Sequence, residues 1–264
     1  MVILQTGALA VELAPQSGGS VARFTCDGVD LLRPMTAEAI ASGKGNNAAL
    51  YPLVPYSNRI RDGRLAFGNE IIQLARNWPG VDHPMHGDGW AHAWQVVRSD
   101  AQSAEIVYEH ERAGQQGGWP FRYRARQQYK LDETSLSIRI SLENLEDRVV
   151  PAGIGLHPFF VRDPDCTLTC RTSFVWRTDT EVLPIECIPV PPEWDFAAYN
   201  GEAAPIRAFL ARSNARAVTV PYRANRAVIF DSDLFHETDR MQFKPGYENR
   251  RINITLLYGR RRTR

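Results

Sequence analysis

The sequence predicts a mainly β chain, and three observations predict it. Apolar and polar residues alternate in run after run, which is the period of a half-buried strand. Seventeen prolines and nineteen glycines punctuate those runs at short intervals. The chain has 264 residues, 44% of them hydrophobic, enough for one large domain with a substantial core. A β-sandwich or barrel-like domain with long loops answers to all three.

Taken in order, "LAVELAPQSGGSVARFTCDGVDLL" reads as strand, Gly-rich turn, strand, then a tight turn at Asp27-Gly28. "AWQVVRSD" and "AEIVYEHE" continue the series. "FRYRARQQYKL" and "SLSIRISLEN" form a hairpin across "LDET". In the second arm Leu136, Ile138, Ile140 and Leu142 share one face, with serine, arginine and glutamate on the other. One helix is predicted late, in "PIRAFLARSN". Pro205 suits its first turn, and Ile206, Phe209 and Leu210 share a face. The chain returns to β pattern in "RRINITLLYG", where Ile252, Ile254, Leu256 and Tyr258 alternate.

Charge excludes several partners. There are 31 basic and 30 acidic residues, a net charge of +1, which argues for neither nucleic acid nor an anionic membrane. The basic ending "YGRRRTR" reads as a solvated tail. No segment reaches the ~18 apolar residues of a membrane span. "MVILQTGALAVEL" has no basic region before its apolar run, unlike a secretory signal. Cys26, Cys166, Cys170 and Cys187 lack the density of a disulfide framework. The expectation is a reduced, cytoplasmic protein. Cys166 and Cys170 sit on one face of a predicted strand, but zinc would need two more ligands.

Three short stretches set polar groups beside turn-forming residues. In "YPLVPYSNRIRDGRLAFG", Asn58 and Arg59 follow a proline-rich approach. A planar fork of donors beside an amide suits neighbouring sugar hydroxyls, although an ordinary loop with a surface arginine is the plainer reading. In "HPMHGDGWAHAW", His83, His86 and His92 crowd a Gly-rich loop. No thiolate or carboxylate set accompanies them at a zinc interval. His86 beside Gly87 either offers a ring nitrogen to a ligand or is a solvated loop histidine. In "GIGLHPFF", Pro158 biases His157 to an extended backbone, and Phe159 and Phe160 shield it. Burial disfavours its imidazolium and a nearby carboxylate would favour it. On its own it reads as a core histidine.

The order changes that. "NRI", then "HG", then "GLHPFF" through a β-rich chain resembles the aldose 1-epimerase (galactose mutarotase) family. The similarity takes in "GKGNNAALYPLVPYSNRIRDGRLAFGNE", Trp94 after the "HG" loop, "LENLEDRVVPAGIGLHPFF" and "WRTDTEVLPIECIPVPPEWDF", so it covers about residues 1–196. The resemblance implies a galactose mutarotase-like β-sandwich that interconverts the α and β anomers of a free aldose without metal or cofactor. Asn58, Arg59 and His86 match the family's sugar-binding positions, and His157 matches its general acid.

Departures from the family begin after "PPEWDF". The family's glutamate base, expected on a late strand, has no match here. Asp231, Glu237 and Glu248 are the late carboxylates available, unranked. Residues 191–259 resemble instead the C-terminal end of an iron(II)/2-oxoglutarate dioxygenase-like protein. His236 matches its distal iron ligand, and Arg250 or Arg251 its 2-oxoglutarate-pairing residue. His86-Gly87-Asp88 is the one histidine-x-aspartate run, and it falls in the "HG" loop. The expectation is therefore an epimerase-like sandwich over 1–196 and an atypical segment over 197–264 packed on it. Its strands either complete the sandwich or leave an edge open. Function is expected to be aldose 1-epimerization, weakened if the base is missing. The alternatives are a sugar-binding module without turnover and an iron/2-oxoglutarate oxygenase-like protein. The expected partner is a small-molecule sugar, and the oligomeric state is open.

Overall fold

The computed structural model describes residues 1–111, 117–161 and 173–190. They fall in two compact units, one containing Met1–Val161 and the other containing residues 173–190. The predicted helix at Pro205, the Cys166/Cys170 pair, the carboxylates Asp231, Glu237 and Glu248, and the dioxygenase-like residues His236, Arg250 and Arg251 lie outside the described residues.

The first unit is built from two antiparallel sheets. The larger holds β1 (Val2–Thr6), β2 (Leu9–Ala14), β3 (Ser20–Cys26), β4 (Val29–Asp30), β5 (Leu50–Leu53) and β12 (Gly155–Pro158). Its order is β1-β2-β3-β5-β12, with β4 paired to β3. The smaller sheet runs β11 (Leu136–Asn144), β10 (Tyr123–Leu131), β9 (Ser103–His110) and β8 (Gln95–Ser99). A separate ribbon pairs β6 (Arg64–Phe67) with β7 (Glu70–Gln73). Among the described residues no helix is long and apolar enough to cross a membrane.

The predicted hairpins form where their turn chemistry lies. Asp27 and Gly28 both take positive φ, 50° and 78°, and reverse the chain between β3 and β4. That is the two-residue turn whose twist matches antiparallel strands. β10 and β11 pair through Leu131↔Leu136, so Leu136, Ile138, Ile140 and Leu142 turn to the same side. Strand β1, the β6–β7 ribbon and a short helix were not predicted. The helix α1 (Ala37–Ala41) starts at Thr36, whose hydroxyl accepts the Ala39 N–H.

Alternation sorts the larger sheet's side chains onto two faces. Leu4, Val11, Val21, Phe24, Leu50 and Leu156 join Ile106, Ala125 and Tyr129 of the smaller sheet in one core. Ala22, Tyr51 and Leu53 project the other way, into a second cluster with Met35, Ala39 and Trp90. Trp94 ties the layers. It is fully buried, its indole N–H donates to the Gly89 carbonyl at 2.9 Å, and its ring fills the space a Cβ on Gly19 would need. The second unit shows a hairpin of β13 (Phe174–Thr178) and β14 (Pro184–Pro189).

Candidate active site

The site lies on the face of the larger sheet turned away from the sandwich core. On β12, Leu156 enters the core, so His157, one residue on, must face outward. The β5–β12 register places it opposite Tyr51. The two rings stack with centroids 4.9 Å apart and planes 9° apart. Phe159 stacks on His157 at 4.6 Å and also meets Tyr51, with centroids 6.2 Å apart. The Arg33 guanidinium lies over Phe159, 4.2 Å from its centroid.

His86 arrives from a loop. Residues 58–60 and 84–86 run antiparallel, with Ile60 N–H donating to Pro84 O and His86 N–H to Asn58 O. An Arg59↔Met85 bridge lies between them. Asn58, Arg59 and His86 are brought together by this backbone ribbon. His86 takes φ 64° and Gly87 φ 66°. Only glycine fits at 87, because a Cβ there would overlap the Val54 carbonyl. Asn77 clamps the turn by donating to the Met85 and Gly87 carbonyls and accepting the Met85 N–H.

The two imidazoles meet edge to face, with centroids 5.5 Å apart. Trp78 flanks His86 at 6.0 Å and Tyr51 at 6.4 Å, so the rings share an aromatic wall. The Ser57 carbonyl lies 3.0 Å from His86 Nδ1. A carbonyl only accepts, so Nδ1 carries the hydrogen and Nε2 of the neutral ring keeps its lone pair. Asn58 folds its Oδ1 back onto the Arg59 amide at 2.8 Å. His157 Nδ1 is buried without a hydrogen-bond partner among the described residues.

Burial dominates the electrostatics. It pushes the His86 pKa down to about 4, against the Ser57 carbonyl, which raises it; the charges of His157 and Arg59 push the same way as burial. Burial also lowers the His157 pKa; its own backbone opposes this, and Arg33 adds to the lowering. No described carboxylate acts on either ring by charge. Among the described residues, burial therefore biases both imidazoles toward the neutral form.

Each predicted site residue thus has a definite place. His157 is half-buried against Tyr51 rather than enclosed in the core, and His86 is half-buried rather than solvated. The other two loop histidines diverge. His83 is buried and accepts the Asp62 amide at Nδ1, while His92 is exposed and stacks on Tyr108. His86-Gly87-Asp88 does not make an iron-ligand pair. The Asp88 carboxylate is bonded instead to Tyr123 and paired with His110. Among the described residues no group of three or more metal-ligating side chains gathers. Sequence reading missed Tyr51, Trp78, Asn77 and Arg33. Nothing local marks them, because their roles come from register and loop return.

The two-sheet β-sandwich is of the galactose mutarotase-like class. The aldose 1-epimerase family profile matches residues 1–210, so the chain belongs to the aldose 1-epimerase family, and the match runs past Phe196. It is 32% identical over 216 residues to the uncharacterized protein YphB of Escherichia coli K12, covering 76% of this chain and 71% of that one. It is 25% identical over 161 residues to the uncharacterized protein YihR of the same organism, covering 61% and 49%. A crystal structure of a candidate aldose 1-epimerase from Escherichia coli K12 superposes with a TM-score of 0.66 at 31% identity, over 74% of this chain and 64% of that one. A galactose mutarotase-like protein from Clostridium acetobutylicum gives 0.63 at 22% identity, over 73% and 62%, a likeness of fold. The chain spans less than two thirds of either solved structure.

Proposed function

We propose that the chain interconverts the α and β anomers of a free aldose by acid/base opening of the ring. The observation that carries this reading is the meeting of His86 and His157 at 5.5 Å on an aromatic wall, with Asn58 and Arg59 alongside. The apolar rings suit the C–H face of a sugar, and the polar groups suit its hydroxyls. His157, when protonated, gives its proton to the ring oxygen as the C1–O5 bond breaks. A base takes the C1 hydroxyl proton, so an open-chain carbonyl forms. Rotation about C1–C2 and reclosure with the reverse proton transfers give the other anomer. Asp231, Glu237 and Glu248, outside the described residues, are the unranked candidates for that base. His86 Nε2 accepts a hydrogen bond from a sugar hydroxyl.

The depressed His157 pKa has a kinetic consequence. The acid is charged only below its usual range, so turnover is expected to rise as pH falls from 7, until the base protonates.

A second reading, sugar binding without turnover, is favoured by one observation: no described carboxylate acts on either imidazole. Polarimetry and calorimetry with glucose and galactose test both. Catalysed mutarotation with saturable binding is the expected result. Binding with a flat polarimetric trace would establish the second reading, and neither signal would overturn both.

A further inference from the structure

Asp88 follows the His86–Gly87 turn directly, and its carboxylate is held by the smaller sheet. The Tyr123 hydroxyl of β10 donates to Oδ1 at 2.5 Å. His110, the last residue of β9, brings Nδ1 to 3.1 Å from Oδ2. Its other nitrogen, Nε2, faces the Trp119 carbonyl at 3.0 Å. A carbonyl and a carboxylate both only accept, so this ring satisfies both neighbours as an imidazolium. His110 and Tyr123 are buried and stack at 4.9 Å, 14° apart. The Asp88 backbone N–H is bonded to Val54 O, on the strand end beneath the site. One residue therefore joins the His86 turn to both sheets.

We propose that Asp88 and His110 are a positioning pair that holds the His86 turn in its sugar-binding geometry, and that loss of the His110 charge loosens it. His86 has no freedom of its own to spare, because its positive φ is sustained only by the surrounding contacts. Burial alone would lower the His110 pKa, but the Asp88 hydrogen bond and charge, the Trp119 carbonyl and Glu111 together raise it. The sign follows. The ion pair is complete below about 6.5, the usual histidine value, and is lost as pH rises through the raised one.

The other groups facing the pair are Tyr108, on the His110 ring edge, with Tyr123 and Tyr56. Burial raises the pKa of all three phenols, so they stay neutral across this range. His92 is the next titratable ring, stacked on Tyr108. His86 itself titrates at about 4. An inflection of its signals above 6.5 must therefore be transmitted from a neighbour.

The kinetic arm of the test rests on the mutarotase reading; the spectroscopic arm does not. Ring NMR of His86 against pH is expected to show that second inflection in the native chain and to lack it in His110→Gln. Asp88→Asn, nearly isosteric, is expected to raise KM for the aldose on the order of tenfold to a hundredfold while kcat changes less. It is also expected to abolish the rise of KM that loss of the His110 charge should bring at alkaline pH. Tyr123→Phe removes one hydrogen bond, keeps the ion pair, and should leave the inflection in place. An unchanged His86 titration in His110→Gln, with only a lower Tm, overturns the proposal. Absence of turnover and sugar binding in the native chain removes the mutarotase reading and leaves the NMR result to decide this one.

Discussion

The two imidazoles of the site are held in opposite ways. His157 sits on a strand, and its place follows from alternation, one pairing register and two stacked rings. His86 sits in a loop, in a backbone conformation that few side chains adopt, held by Gly87, Asn77 and Asp88. Burial lowers both pKa values, yet the strand histidine should tolerate replacement of its ring structurally and the loop histidine's supports should not. A strand position is determined by many pairings, each replaceable. A strained loop depends on a few specific contacts.

The largest expected effect separates chemistry from structure. His157→Asn removes the proposed acid and should lower kcat by about 10² to 10⁴ while Tm and sugar affinity change little. Polarimetry, calorimetry and a melting curve check this, and an unchanged rate would take His157 out of the mechanism.

Gly87→Ala should do the reverse. A Cβ there meets the Val54 carbonyl at positive φ, so stability should fall by about 3 kcal/mol. Urea denaturation reads it, and a native midpoint would contradict the loop geometry. Asn77→Ala comes next. It strands the Met85 N–H and two carbonyls, for a loss of about 2 kcal/mol, with KM raised more than kcat is lowered.

The next test is pH. His86, at about 4 against an ordinary 6.5, binds its proton more readily unfolded. Stability present above 6.5 is therefore lost as pH falls from about 6.5 to about 4. Denaturation midpoints at pH 7 and 4.5 should differ less in His86→Gln than in the native chain. The smallest effect is Arg33→Ala, which removes a lowering charge and should move the His157 titration upward by NMR.

Much of the frame was legible locally. Asp27-Gly28 announced its turn, and Leu136, Ile138, Ile140 and Leu142 announced their face, because turn type and strand period are properties of neighbours in sequence. The family could be read from three ordered motifs, which the profile match over residues 1–210 supports. The smaller elements were not legible. Thr36 does carry a capping signal, but five helical residues are too few to stand out against the β pattern.

What the sequence determined by itself was the strand frame, the turns and the identity of the histidines that stand out in their motifs. Their environment was decided by tertiary structure alone. Tyr51 stacks on His157 across a gap of more than a hundred residues, Asn77 returns to clamp its loop, and His110 reaches Asp88 from another sheet. The local pattern of one segment carries no information about which distant segment will face it. Burial, stacking and charge depend on that facing, so the protonation of both imidazoles became readable only once the sheets were in place.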